Sequence, residues 1–332
     1  MLNISQIFPN LSSLEQNRQS QASRYKLYKI LIWVSVIGVI FGAALATETT
    51  KYPNAPLAFW VSFALIWLFW WLRRKLRAAY TNQASEQIFA PLIKSTLPNA
   101  SYNHKAFIPA SIFNQSGLFP AGTSFQGEDL IEGTLEEAAF KCSQLTIYKR
   151  VTSKSGGAIT NKSGRKSKTH KSGKTTTSTN LIFQGFFVVV DMPTAQTSGQ
   201  TLIQYNVFEQ FGDALQMVKS ALGNQSAASL RGNKAFEGNF EKIFNVKTDE
   251  PQVLTPALCE FLTQLNHRDT QVGLSITSNR VCMSMATKSD FLAADINDPL
   301  NEALLQTYAN EWEQTLSNIH TLIKLLKPEQ LS

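Results

Sequence analysis

The chain has 332 residues and a hydrophobic fraction of 43%, enough for a membrane anchor and one or two folded domains. Its net charge of +7 is uneven, because residues 138–190 hold ten Lys/Arg and no Asp/Glu while the rest of the chain is slightly acidic. Three widely spaced cysteines, Cys142, Cys259 and Cys282, exclude a disulfide framework and a zinc site and are typical of buried apolar positions in a reducing compartment.

The N-terminal quarter predicts a transmembrane helical hairpin. Residues 30–47 and 53–72 are two uncharged apolar runs, and at ~1.5 Å per residue each is close to the ~30 Å thickness of the hydrocarbon core. Basic residues flank the outer ends of both runs, which predicts that the N- and C-termini are cytoplasmic. Residues 1–29 form a cytoplasmic segment whose apolar spacing fits either an interfacial amphipathic helix or a frayed tail. Ala44-Leu45-Ala46 resembles a signal-peptidase site, but the preceding segment is too long for a signal peptide.

Residues 73–297 predict a cytoplasmic α+β domain built on a mixed, largely antiparallel sheet. A helix over 76–97 has a break near Pro91, and residues 208–222 also read as helix. The apolar run from Phe186 to Val190 predicts a strand that is buried on both faces. Alternating residues between Val272 and Met285 predict a β-hairpin.

Residues 298–328 predict a long C-terminal helix, opened by Asp298 as N-cap and Pro299 at the first helical position. Its apolar stripe falls at 305, 308, 312, 315, 319, 322 and 326. That period of about 3.5 residues fits a coiled coil with a second copy or another protein. The wider face made by Leu304, Leu316 and Ile323 also fits packing on the same domain, so both interpretations stay open.

A segment of Ser, Thr, Gly, Asn and basic residues over 152–180 predicts a disordered basic loop between two strands. Held near the membrane by the hairpin, it would contact anionic lipid headgroups, whereas the lack of aromatic residues disfavours nucleic acid. A solvated loop without a partner, or docking to the acidic body of the protein, are the alternatives. The candidate lipid-contacting residues are Lys154, Lys162, Arg165, Lys166, Lys168, Lys171 and Lys174.

The densest carboxylate group, Glu128, Asp129 and Glu132, is the candidate acidic cluster. Such carboxylates can transfer protons or hold a hard cation. In a regular strand, however, Glu128 and Asp129 point to opposite faces, which favours a structural role. The histidines share no ligand spacing and no nucleotide or hydrolase motif is present, so no cofactor and no metal are predicted.

Several short motifs occur in a fixed order after the two apolar runs. They are Ser116–Phe119, Gly127–Gly133, Phe183-x-Gly185-x-Phe187 ending at Asp191, Phe240-Glu241-Lys242-x-Phe244-x-Val246, and Leu254-Thr255-Pro256. In this order they resemble a family of uncharacterised bacterial membrane proteins that is known as a domain of unknown function. The resemblance implies a bacterial inner-membrane location and supplies no reaction, substrate or catalytic residue.

These observations favour a membrane-anchored cytoplasmic binding or assembly domain over an enzyme. The alternative is a membrane-bound enzyme that uses the carboxylates near Glu128, Asp129 and Glu132. A pocket where these acids converge would favour the enzyme.

Overall fold

The computed structural model describes residues 3–46, 54–155, 174–193, 197–205, 239–267, 270–287 and 291–327. The chain forms two compact units, which are described separately. Unit 1 comprises Met1–Pro98 with Leu292–Leu316, and unit 2 comprises Asn99–Phe291 with Ser317–Ser332. Long apolar helices, an antiparallel sheet and a C-terminal helix confirm the predicted α+β class.

Unit 1 is helical. A short helix α1 (Ile4–Ile7) precedes α2 (Leu11–Ala46), and α3 (Ala55–Ala84) continues through a π-helical turn at Ser85–Phe89 into α4 (Ala90–Thr96). The predicted break near Pro91 is therefore a widened turn within a continuous helical path. Proline lacks the N–H of an i→i−4 bond and its ring crowds that carbonyl, which accounts for the irregularity just before it.

The apolar runs of α2 and α3 are long enough to cross a membrane, and few of their residues are buried. In the most apolar 18-residue windows, 11% of the α2 residues and none of the α3 residues are buried. Trp33, Phe41, Leu57 and Trp60 are each more than 60% exposed. The core helix of a water-soluble protein would bury such residues, so the exposed apolar surface sets these two helices apart from core helices.

Small residues hold α2 and α3 together. A Cβ atom added at Gly42 would lie 3.0 Å from the backbone N and Cα of Phe59, and one at Gly38 would lie 2.6 Å from Ser62 Oγ. The two glycines are four residues apart and on one face of α2, as in the Gly-x-x-x-Gly pattern of closely packed membrane helices. Because these two glycines have no side chain, the backbones of α2 and α3 can approach each other closely.

The C-terminal helix α8 (Glu302–Leu325) is shorter than the predicted 298–328. The predicted cap at Asp298 is wrong, because the side chain of Asn301 accepts the hydrogen bond from Leu304 N. The segment before the helix is held by α2: Glu15 accepts a bond from Leu300 N, and Arg18 donates to the carbonyl of Ile296.

The first part of α8 belongs to unit 1. Leu305, Tyr308, Ala309 and Trp312 are buried there. Tyr308 packs edge-on against Phe89, and Trp312 Nε1 donates to Thr96 Oγ1 at 2.5 Å. The predicted apolar stripe is therefore covered by the chain itself at these positions.

Unit 2 is built on an eight-stranded sheet in which every described pair is antiparallel. The spatial order is β1-β2-β3-β4-β8-β7-β5-β6. The strands are β1 (Ser101–Asn103), β2 (Ser124–Leu135), β3 (Ala138–Ser155), β4 (Lys174–Asp191), β5 (Thr201–Tyr205), β6 (Phe244–Thr248), β7 (Gln271–Ile276) and β8 (Arg280–Ala286).

Both faces of the central strands are buried, as predicted for residues 186–190. On one face, α5 (Ala110–Gln115) and its flanks bring Ile108, Phe113 and Leu118 onto Phe183 and Phe187. The remaining helices of unit 2 are α6 (Asn239–Ile243), a 3₁₀ turn at Pro251–Val253 and α7 (Pro256–Leu265). The predicted hairpin at 272–285 is confirmed as β7–β8, and the helix predicted over 208–222 lies outside the described residues.

The central hairpin is longer than predicted. Strands β3 and β4 remain paired out to Ser155↔Lys174. The predicted disordered loop is therefore wrong at its edges, 152–155 and 174–180, where β-branched threonines favour extended backbone. Residues 156–173 lie outside the described residues. The extension, here called the basic ribbon, comprises residues 148–155 and 174–181.

Candidate functional site

A bulge in β2 creates the one place where the predicted acids meet a histidine among the described residues. The register of β2 on β3 shifts between Glu128 and Ile131, and Asp129 adopts a left-handed φ of 61°. Because of the bulge, Glu128 and Asp129 both approach His104. The expectation from strand alternation, that the two acids point apart, is therefore wrong.

The carboxylate of Asp129 is buried and accepts two hydrogen bonds. Its Oδ1 atom lies 2.5 Å from the hydroxyl of Tyr102, which donates, and 2.8 Å from His104 Nδ1. A backbone hydrogen bond joins the same two residues, since the amide of Asp129 donates to the carbonyl of His104 at 3.1 Å. A short polar side chain at this position tolerates the left-handed conformation and anchors the bulge.

The hydrogen bond to Asp129 raises the pKa of His104, while burial of the ring opposes the rise. The imidazolium form therefore becomes more favourable in the folded protein, where it offsets the charge of the buried carboxylate. Glu128 adds little, because its carboxylate is 3.9 Å from His104 Nε2 and half exposed.

These three residues also offer one ligand atom each within 4.8 Å of one another. Because Asp129 binds Nδ1 of His104 and orients the ring, a cation would be left with two ligands, His104 Nε2 and the Glu128 carboxylate. Two accessible ligands are fewer than the three or four that protein zinc sites use. The arrangement fits a buried acid that is stabilised by His and Tyr better than it fits a metal centre.

The third predicted acid is not part of this group. Glu132 forms an exposed ion pair with Lys141 on the neighbouring strand, with 2.6 Å between the charged atoms. The acidic cluster that the sequence suggested is therefore divided, and its members bind other side chains of unit 2. This geometry favours the structural interpretation over a pair of catalytic carboxylates.

The predicted lipid-contacting residues fall mostly outside the described part of the chain. Lys154 and Lys174 have described backbone in β3 and β4, where they pair with Thr175 and Ser155. The other five, Lys162, Arg165, Lys166, Lys168 and Lys171, lie outside the described residues.

Sequence reasoning missed a second charged group at the β2–β3 turn. Glu136 and Glu137 occupy this two-residue turn with φ values of 46° and 73°. Glu136 binds His320 Nε2 at 2.5 Å and Lys327 Nζ at 2.6 Å, and these contacts lower its pKa to about 2. The three basic or titratable residues near the end of the C-terminal helix, His320, Lys324 and Lys327, were the available signal, but their partner Glu136 is 184 residues away from His320.

The other motifs have structural explanations. A Cβ at Gly127 would meet Phe107 Cβ at 2.7 Å, and Gly185 has a φ of 148° beside the backbone of β8. Asp191 pairs with Arg280 at 2.7 Å. Thr255 caps α7 by accepting a hydrogen bond from Leu258 N. These motifs therefore preserve tight backbone contacts, an ion pair and a helix start.

A family model matches the second half of the chain in part. Residues 181–327 match the model of a family described as a protein of unknown function (DUF3137). The matched part runs from β4 through α8 and includes the Gly185, Phe240–Val246 and Leu254–Pro256 motifs. No curated protein and no solved structure matches the chain.

Proposed function

We propose that the chain is a bacterial inner-membrane protein that spans the bilayer twice and holds its sheet domain at the cytoplasmic surface as a binding or assembly module. The exposed apolar surface of α2 and α3 carries this proposal. Lipid is the surrounding in which such surface costs no free energy, and both helices satisfy their own backbone hydrogen bonds.

The charge distribution supports the orientation. The sequence places Arg24, Lys26 and Lys29 before the first apolar run and Arg73, Arg74, Lys75 and Arg77 after the second. The only charged residues in the linker between the runs are Lys51 and Glu48. Basic residues stay preferentially on the cytoplasmic side, so both termini are cytoplasmic in this proposal.

The binding or assembly role is supported by what the acids do in unit 2. Asp129 and Glu132 are each engaged by neighbouring side chains of the described structure. A sheet domain with such internally satisfied acids, carried on a membrane anchor, is suited to holding a partner rather than to acid–base catalysis.

Alkaline carbonate extraction of membranes that contain the full chain tests the anchoring. We expect the protein to remain in the membrane pellet, as helices that cross the hydrocarbon core do. Release into the supernatant would contradict the proposal. Cross-linking in native membranes, followed by mass spectrometry, then tests the binding role by identifying partners and self-association.

We also propose that the basic ribbon and the loop beyond it contact anionic lipid. The pairing of β3 with β4 out to Ser155↔Lys174 gives the loop a two-stranded stem. Nine Lys/Arg and no acids over residues 148–181 supply the attraction, at about 1 kcal/mol for each charge near an anionic surface.

Trypsin tests this contact, because it cleaves after the same Lys and Arg residues. In the full chain reconstituted into nanodiscs, we expect slower cleavage within 156–173 when the lipid is phosphatidylglycerol than when it is phosphatidylcholine. Raising the salt concentration should remove the difference. Equal cleavage rates in the two lipids at low salt would refute the contact.

A further inference from the structure

Seven basic residues flank the outer ends of the two apolar runs, and none of them has an acidic partner among the described residues. Residues 16–47 and 49–85 contain no Asp or Glu. Within the described part of unit 1, Arg18 forms an ion pair with Glu15, whereas none of the seven has a carboxylate within 4.0 Å. This interfacial basic cluster comprises Arg24, Lys26, Lys29, Arg73, Arg74, Lys75 and Arg77.

Arg73 is the member that the fold holds in place. Its guanidinium lies over the ring of Tyr25 at 4.3 Å and donates from Nη2 to the Tyr25 hydroxyl at 2.8 Å. One turn away, Tyr28 stacks on Phe69, which fixes the same stretch of the two helices. The Nε atom of Arg73 is buried and has no hydrogen-bond partner among the described residues. The protein therefore orients this cation but leaves its charge and part of its donor capacity uncompensated.

Two further cations lie against tryptophans on the same part of α3. Arg74 is 5.6 Å from the ring of Trp70 and Lys75 is 5.3 Å from the ring of Trp71. Tryptophan prefers the boundary between hydrocarbon and headgroups, so these contacts mark the depth of the cluster.

The positions along the helices agree with that depth. Arg73 directly follows the apolar run that ends at Leu72, and Tyr25 precedes Ile30 by five residues. At ~1.5 Å per residue, Tyr25 is ~7.5 Å beyond the start of its run. The headgroup layer is roughly 5–7.5 Å thick on each side of a bilayer, so both residues fall within the layer that contains the lipid phosphates.

We propose that the Arg73–Tyr25 pair binds the phosphate of an anionic phospholipid, with the other cations of the cluster attracting the headgroup. This inference rests on the proposed membrane-spanning arrangement. The planar guanidinium suits phosphate oxygens, and the ring and hydroxyl of Tyr25 fix its orientation before the lipid arrives. The hydroxyl, which accepts from Arg73, can donate its own proton to a phosphate oxygen.

Native mass spectrometry of the full chain, released from nanodiscs of equal phosphatidylglycerol and phosphatidylcholine, tests the site. We expect the wild type to retain phosphatidylglycerol preferentially. Arg73→Gln should reduce that retention by clearly more than about fivefold, because fivefold is the effect of losing any one cation near an anionic headgroup and this variant also removes the oriented guanidinium contact. Tyr25→Phe should also reduce it, although this change leaves the net charge unaltered.

Arg77→Gln is the matched control, because it removes one exposed cation of the same cluster without touching the pair. It should cause a much smaller loss than Arg73→Gln. Equal losses in the two variants, or no effect of Tyr25→Phe, would show diffuse attraction and overturn the site. Glycerol phosphate in solution should not compete with phosphatidylglycerol for the site. If glycerol phosphate displaced the lipid, the site would be assigned to soluble phosphates instead.

The anchoring and the lipid site can fail independently. Carbonate extraction of the wild type and the three variants reports the anchoring alone. A wild type that resists extraction but retains the two lipids equally would refute the lipid site and leave the membrane anchor intact. A wild type released by carbonate would refute both.

Discussion

At the scale of single residues, the backbone bulge at Asp129 explains why the sequence-based prediction of its side-chain direction was wrong. Period-two alternation separates Glu128 from Asp129, but the left-handed φ of Asp129 bulges the strand and turns its carboxylate toward His104 and Tyr102. The close approach of Phe107 to Gly127 is equally invisible in the sequence, because Phe107 is twenty residues away along the chain.

Asp129→Asn tests this network. Asparagine tolerates the left-handed backbone and can still accept the Tyr102 hydrogen bond, so the change chiefly removes the charge. We expect a loss of about 1.5–3 kcal/mol in the free energy of unfolding at pH 6, the range for hydrogen bonds to charged groups. Thermal unfolding of the full chain in detergent is the measurement.

The pH dependence has a definite sign. The folded pKa of His104 is raised above its unfolded value, so the His104 contribution is fully present below the unfolded pKa of ~6.5. It is lost as pH rises through the higher folded pKa. The difference in the free energy of unfolding between wild type and Asp129→Asn should therefore shrink from pH 6 to pH 9. Glu132→Gln is the control, because it breaks an exposed ion pair. It should change the free energy of unfolding by no more than about 0.5 kcal/mol at either pH. A gap that widens with pH would contradict the assignment.

At the scale of elements, short-range sequence patterns predicted the strands and the hairpin whose contacts are local. The doubly buried strand at 186–190 and the β7–β8 hairpin follow from short-range periodicity and are confirmed. The start of α8 was misplaced because Asn301 caps it and Glu15, far away in sequence, binds the segment before it. The long reach of β3 and β4 was missed because a polar, basic composition resembles a loop.

The α2–α3 contact predicts the effect of a larger side chain. Gly42→Leu should separate the helices at Phe59, because the added Cβ alone would lie 3.0 Å from its backbone. We expect a lower unfolding temperature of the full chain in detergent. Ala43→Leu, at the adjacent exposed position, should have little effect. Equal effects of the two changes would show that the glycine contact does not matter.

The β2–β3 turn predicts a local change in mobility. Glu136→Gln removes the negative charge that binds His320 and Lys327, so the end of α8 should open more often. Hydrogen exchange of backbone amides at 319–326 should become faster, with the rest of unit 2 unchanged. Glu137→Gln, the neighbouring residue in the same turn, is the matched control. Unchanged exchange in Glu136→Gln would mean that apolar packing alone holds this end.

At the scale of the whole molecule, the chain has a helical unit that contains both apolar helices and a sheet unit that contains the buried Asp129. Unit 1 is completed by residues 292–316, which bring Trp312 to Thr96 and Ile296 to Arg18. The sequence predicted the apolar runs and the helix, but their association depends on contacts across more than 200 residues, such as the 216-residue separation of Trp312 from Thr96.

The central claim is that α2 and α3 cross the bilayer with the sheet domain inside the cell. Single introduced cysteines test it directly, because the native Cys142, Cys259 and Cys282 are buried and should not react. In intact spheroplasts, a membrane-impermeant maleimide should label Thr50→Cys in the linker and should not label Ala303→Cys at the start of α8. Permeabilisation should then expose Ala303→Cys to the reagent. Labelling of Ala303→Cys in intact spheroplasts, or failure to label Thr50→Cys, would contradict the account.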